Sequence, residues 1–150
     1  MPQVVPGVIR TLNHIAAGTE ELYMLKLLIA DESREFRKFI RRVSEVEQDL
    51  EVVGEATSGP ELLTQARQLK PDVALVDIAL SGMGGLEGAR RIKSELPDTR
   101  VLLVSLVDES AVRDAAMRYG ADAFLSKGAP ISEILTQIRG RRSRAFRGGA

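Results

Sequence analysis

Asp72 to Ile92 reads DVALVDIALSGMGGLEGARRI, and this stretch decides the fold. The apolar run Val73 to Val76 is closed by an acid, Asp77. So short a run, without polar alternation, reads as a strand buried on both faces of a parallel sheet. SGMGG (Ser81 to Gly85) then turns the chain into a helix with Leu86, Ala89, Ile92 and Leu96 at helical spacing, ended by Pro97.

The same unit recurs on both sides. Upstream, LKLLIA (Leu25 to Ala30) is a strand. The helix after it carries Phe36, Phe39, Ile40, Val43 and Val46, with Arg34, Arg37, Lys38, Arg41 and Arg42 on the other positions. LEVVGEA (Leu50 to Ala56) is the second strand. Ser58-Gly59-Pro60-Glu61 then matches a capping box for a helix with Leu62, Leu63, Ala66 and Leu69 inward, stopped by Pro71. Downstream, VLLVS (Val101 to Ser105) is strand four, and its helix carries Val112, Ala115, Ala116 and Tyr119, with Gly120 as the C′ residue. ADAFL (Ala121 to Leu125) is strand five. Pro130 opens the last helix, with Ile131, Ile134, Leu135 and Ile138 on its buried face. Five βα units with short connections predict a doubly wound α/β domain, a flavodoxin-like (βα)5 three-layer sandwich with sheet order 2-1-3-4-5.

Composition fits one compact domain. The chain has 150 residues, 44% of them hydrophobic and 28% charged, enough to bury a proper core. It has no cysteine, which excludes disulfides and thiolate metal sites, and its one histidine is His14. No apolar run is long enough to span a bilayer, and the N-terminus lacks signal-peptide character, so the expected location is cytoplasmic. Net charge is zero, but residues 139–150 hold five arginines and no acid, leaving −5 on residues 1–138. Bulk charge does not argue for nucleic acid, only the tail could, and no direct nucleic-acid binding by this chain is expected. Residues 1–23 show no clear period and read as an N-terminal extension or a misassigned start, with a short helix from Thr19. Residues 24–139 make the domain, and Gly140 to Ala150 read as a basic, disordered tail or linker.

Ligands of an open parallel sheet bind at the carboxyl ends of its strands. Asp31 and Glu32 follow strand one, Asp77 ends strand three, Ser105 ends strand four, and Lys127 follows strand five. In the expected order, strands one and three are neighbours and their acids lie side by side. Three carboxylates repel unless a cation neutralises them. Mg²⁺ fits, since it takes hard oxygen ligands and works beside phosphates; Asp31, Glu32 and Asp77 would supply carboxylates and Ala79 a backbone carbonyl. Asp77 is then the nucleophile toward a phosphoryl donor, giving an acyl phosphate. Lys127 holds the phosphoryl or pairs with Asp77, and the Ser105 hydroxyl bonds a phosphoryl oxygen.

At this point the chain resembles the receiver (response-regulator) domain of two-component signalling, especially the NarL/FixJ type. The resemblance covers Leu25 to Ile138 and rests on IADES, LVDIALSGMGGLEGARRI, VLLVSLVDE and GADAFLSKGAP in order, each at a strand end. It implies Asp77 as phosphoacceptor, Asp31 and Glu32 as the acidic metal pair, Ser105 as switch hydroxyl, Phe124 as switch aromatic, and Lys127 as the family lysine. It implies a sensor histidine kinase or histidine phosphotransfer protein as partner, a possible homodimer, and no metabolite turnover. Receiver-like chains usually begin near Met24. Three departures stand out. Leu80-Ser81 replaces Met-Pro, which should loosen the acceptor loop. Leu106 replaces a small residue and is expected to narrow phosphoryl access, and Phe124 replaces Tyr. Ala79 and Val107 flank the approach of a hydrolytic water and cannot orient it, so a long-lived acyl phosphate is expected.

Rival readings are weaker. An aspartyl phosphatase wants a second acid two residues beyond its nucleophile, and Asp77 is followed by Ile78 and Ala79. A flavin-type binder wants a phosphate-cradling loop after strand one. A degenerate receiver serving only as an interaction module is the third alternative. NarL/FixJ-type receivers usually precede a helix-turn-helix domain, and about a dozen residues follow Ile138. The chain is therefore expected to be either a stand-alone receiver or the receiver fragment of a LuxR-type transcription regulator.

Overall fold

A computed structural model describes residues 23–148, with side chains to residue 140. The expectations for residues 1–22, including His14 and the short helix from Thr19, lie outside the described residues. The elements alternate without exception: β1 (Leu25–Ala30), α1 (Arg34–Glu45), β2 (Leu50–Ala56), α2 (Gly59–Leu69), β3 (Val73–Asp77), α3 (Gly85–Glu95), β4 (Arg100–Ser105), α4 (Ser110–Arg118), β5 (Ala123–Ser126) and α5 (Ile131–Gly148). The sheet is ordered β2-β1-β3-β4-β5, as the sequence predicts. All its pairings are parallel.

Side chains alternate across the sheet with period two and so feed two cores. Leu28, Ala30, Ala74, Val76, Val101, Leu103 and Phe124 point to the layer of α2, α3 and α4. Leu27, Ile29, Val73, Leu75, Leu102, Val104 and Leu125 point to the layer of α1 and α5. Both faces are covered, which is why the central strands read as unbroken apolar runs. Each buried Leu or Ile contributes about 1.5–3 kcal/mol by leaving water.

The helix ends follow local chemistry. Ser33 caps α1 by accepting from the Phe36 N–H. Ser58 caps α2, accepting from the Glu61 N–H at 3.2 Å. The return half of that capping box lands one residue early, because the Glu61 carboxylate takes the Thr57 N–H at 2.6 Å rather than that of Ser58. Gly120 follows the α4 cap with φ 95°, the left-handed conformation that glycine reaches without steric cost.

Several helical positions differ from expectation. On α1, Phe39 and Val46 are exposed while Ser44 is buried, its hydroxyl donating to the Ile40 carbonyl. Tyr119 is exposed as the α4 cap residue rather than packed inward. The tail expected to be disordered is helical to Gly148, after a break at Gly140 (φ 41°, ψ −134°). Arginine and alanine favour helix, and the break sits where the Arg100 guanidinium lies against the chain. Arg100 Nη1 donates to the carbonyls of Gln137 at 2.9 Å and Ile138 at 3.0 Å, satisfying groups that a helix end leaves open. Among the described residues, no helix is long and apolar enough to cross a membrane.

Candidate functional site

β1 and β3 pair through Ala30↔Val76, so Asp31 and Asp77 emerge together at the carboxyl edge of the sheet. Asp31 is 1% exposed and Asp77 9%, so neither carboxylate can depend on water for its charge. The ammonium of Lys127 supplies the compensation. It lies 2.7 Å from Asp31 Oδ2 and 3.2 Å from Asp77 Oδ2. Backbone geometry puts it there: the Lys127 N–H donates to the Ser105 carbonyl at 2.8 Å, continuing the β4–β5 ladder by one residue. Its ammonium also sits 4.9 Å from the centre of the Phe36 ring, a cation–π contact from the first turn of α1. Burial opposes the charge on Lys127, but bonding to Asp31 and the charges of Asp77 and Asp31 outweigh it and raise its pKa above the ordinary lysine value.

The remaining carboxylate oxygens are anchored unequally. Asp31 Oδ1 accepts from the Ser33 N–H at 2.8 Å, and Asp77 Oδ1 from the Ala79 N–H at 3.1 Å. Asp31 Oδ2 is buried, and its near partner among the described residues is the Lys127 ammonium at 2.7 Å, in a contact short of ideal hydrogen-bond alignment. Glu32 and Ala79 are exposed at the rim. Among the described residues no three His, Cys, Asp or Glu side chains gather into one metal-binding group. Mg²⁺ needs no such cage, since it keeps several waters and is held by one or two carboxylates beside a phosphate. An under-bonded buried oxygen on Asp31, with Asp77 beside it, suits that ion.

Ser105 is 4% exposed, and its Oγ accepts from the Val107 N–H at 3.1 Å, which leaves the hydroxyl proton to donate. Phe124 is buried at 5% in the core beneath α4. Arg113 covers its ring at 5.0 Å and reaches Asp108 at 2.7 Å. The structure thus brings Asp31, Asp77, Lys127 and Ser105 to one spot, leaves Glu32 and Ala79 at its edge, and holds Phe124 inward.

Two expectations about the departures are overturned. Leu80-Ser81 does not loosen the acceptor loop. Leu80 is 3% exposed and packs in the core, Ser81 bridges to Ser58 in strand-like fashion, and the Gly59 N–H donates to the Ser81 carbonyl at 2.8 Å. A buried leucine and a backbone bridge anchor this loop without a proline ring. Leu106 does not narrow the site: it is 82% exposed, because β4 ends at Ser105 and the next side chain leaves the sheet for solvent.

Sequence reasoning also missed a buttress behind Asp31. Arg37 Nη1 donates to the Asp31 carbonyl at 2.8 Å and to the Glu32 carbonyl at 3.3 Å. Its Nε reaches Glu55 Oε1 at 2.8 Å, and Arg41 takes the other oxygen of that carboxylate. Burial raises the Glu55 pKa, but the bonds from Arg41 and Arg37 more than offset this and hold it below the usual value. The available signal was an arginine in the fourth position of α1, near the helix end whose dipole disfavours cations.

Fold and site together define a class: a doubly wound parallel α/β domain that gathers two buried carboxylates about one lysine at its strand ends. Comparison with known proteins agrees. Residues 27–139 match the family described as response regulator receiver domain. Response regulator GacA of Pseudomonas syringae pv. syringae (strain B728a) is 38% identical over 116 residues, covering 77% of this chain and 54% of that protein. Response regulator UvrY of Escherichia coli (strain K12) is 34% identical over 116 residues, covering 77% and 53%. Among solved structures, the signal receiver domain of NarL from Mycobacterium tuberculosis superposes with a TM-score of 0.73 at 34% identity, covering 79% of this chain and 99% of that one. A two-component response regulator of the LuxR family from Aurantimonas sp. SI85-9A1 gives 0.74 at 26% identity, covering 83% and 86%. The chain belongs to the response regulator receiver domain family of two-component signalling. It spans about half the length of the curated relatives it matches.

Proposed function

We propose that this receiver takes a phosphoryl group on Asp77, from a sensor histidine kinase or a histidine phosphotransfer protein, in a Mg²⁺-dependent reaction. The carrying observation is the Lys127 ammonium shared between Asp31 and Asp77, two buried carboxylates of adjacent strand ends. A carboxylate oxygen of Asp77 attacks phosphorus, the bond from phosphorus to the donor atom breaks, and the donor leaves with that electron pair. Asp31, Glu32, Asp77 and the Ala79 carbonyl would hold Mg²⁺, which would supply neutralisation of charge on the transferring oxygens. Lys127 then exchanges its Asp77 contact for a phosphoryl oxygen, and the Ser105 hydroxyl donates to another. The product is a switched surface for a partner or a second copy, not a released metabolite, and the setting is the cytoplasm. Ala79 and Val107 offer no side-chain polar group to orient a hydrolytic water, so the acyl phosphate is long-lived.

Intact-mass measurement after incubation with Mg²⁺ and a small acyl-phosphate donor tests this reading. One phosphoryl adduct is expected, lost in Asp77→Asn and slower to decay than in Ala79→Asn or Val107→Gln. An adduct that survives Asp77→Asn, or none in the wild type, sinks the mechanism and favours an interaction module that never takes phosphate. A second reading concerns context. Matched relatives about twice as long as the segment they share with this chain and the LuxR-family structural neighbour support the receiver portion of a transcription regulator, a reading tested by extending the reading frame beyond Ala150.

A further inference from the structure

We propose that Arg37 is a positioning residue for the acidic pair: braced by Glu55, it fixes the peptide carbonyls of Asp31 and Glu32 and thereby sets their Mg²⁺ affinity. The proposal rests on the phosphoacceptor reading above. Only 16% of the Arg37 side chain is exposed, although it stands on a helix whose neighbours Lys38 and Arg34 are in solvent. Nothing in helix formation draws it inward, since a cation near a helix N-terminus gains nothing from the dipole. The draw is the two carbonyls, which turn toward one guanidinium nitrogen at 2.8 and 3.3 Å.

Those carbonyls belong to the peptides that carry the acids. Asp31 is held by its N–H to the Ala56 carbonyl at 2.9 Å, by its Oδ1 to the Ser33 N–H, and by its own carbonyl to Arg37. The remaining oxygen, Oδ2, faces the Lys127 ammonium at 2.7 Å. Glu32 is exposed, so the direction of its carboxylate depends on the orientation of its peptide, and Arg37 is the side chain that holds that peptide's carbonyl. Glu55 completes the device from the neighbouring strand. Its carboxylate grips Arg37 Nε at 2.8 Å while Arg41 occupies the other oxygen, so the guanidinium cannot swing away with α1. Outer partners of this kind typically change metal affinity by about 10–100-fold when removed.

The test is calorimetric Mg²⁺ titration of the full chain, wild type and Arg37→Ala, Arg37→Lys and Glu55→Gln, beside phosphorylation rates measured across Mg²⁺ concentration. Arg37→Ala should weaken Mg²⁺ about tenfold or more and raise the Mg²⁺ needed for half-maximal rate by the same factor, with the lost rate recovering as Mg²⁺ is raised. Arg37→Lys should not rescue, because a single ammonium cannot span both carbonyls and Glu55. Glu55→Gln, which keeps the shape and one acceptor, should fall between. Melting curves identify any variant that fails to fold, and Glu55→Gln then carries the comparison. Equal Mg²⁺ affinity in all four proteins, or a rate loss that Mg²⁺ cannot restore, overturns the proposal, as does absence of Mg²⁺ binding by the wild type. Failure of the phosphoacceptor reading looks different: Mg²⁺ binds and responds to Arg37, yet no adduct forms on Asp77.

Discussion

Lys127 carries the electrostatics of the site, and its removal has a definite cost. Without it, Asp31 and Asp77 face each other at 1% and 9% exposure with no ammonium between them. Removing one partner of a buried ion pair costs about 3 kcal/mol, because the other charge stays behind. Lys127→Met, which keeps the apolar stem, should show a loss of that size in urea unfolding at neutral pH without Mg²⁺. The pH dependence follows from a folded pKa raised above the unfolded one. The contribution is fully present below about pH 10.4 and is lost as pH climbs through the folded value. The gap between wild type and variant should therefore be flat from pH 7 to about 10 and narrow above it. Asp31, Asp77, Ser105 and Lys127 were legible from sequence because each ends or follows an apolar run, and strand ends are where this fold gathers ligands. Arg37 and Glu55 were not, since their meaning depends on α1 crossing β2, and no local period encodes that.

Each helix is placed by how closely it approaches the sheet, and the first residue of α3 lies against the acceptor's own peptide. A Cβ on Gly85 would overlap the Asp77 carbonyl and lie 2.7 Å from the Ile78 Cα, both backbone atoms that cannot yield as a side-chain tip would. Gly85→Ala should therefore push α3 off the end of β3, at a cost of about 1–3 kcal/mol for overpacking. Thermal melts should show the loss, and the adduct yield on Asp77 should drop with it, since the acceptor's own carbonyl is displaced. Unchanged stability would mean that α3 has room to retreat. Helices were readable here from apolar spacing, but their exposed edges were not. Phe39 and Val46 fit the inward period of α1 yet stay in solvent, because the sheet is covered by a narrower stripe centred on Phe36 and Ile40. The break at Gly140 also escaped, because it depends on Arg100 from β4 reaching the end of α5.

At the scale of the whole molecule, the five βα units close both cores between Leu25 and Ile138. A chain trimmed to residues 24–139 should melt cooperatively, with a loss of about 1 kcal/mol from the missing hydrogen bond between the Tyr23 hydroxyl and Asp72. A broad or much lower transition would show that the ends contribute more than the bond and core packing of Tyr23. The two flanks of the acceptor differ in how they are tied to the domain. On the β2 side, the Ser58–Ser81 bridge joins the loop after β3 to the start of α2, so that loop belongs to the frame. On the β5 side, residues 106–109 are all exposed and α4 begins without a side-chain cap. One flank is thus tied into the frame, while the other is held outside it by the Arg113–Asp108 ion pair and the Val107 N–H bond to Ser105 Oγ. Crowding introduced at Asp77 should meet more resistance on the β2 side than on the β5 side, so a displacement there is expected to run toward β5.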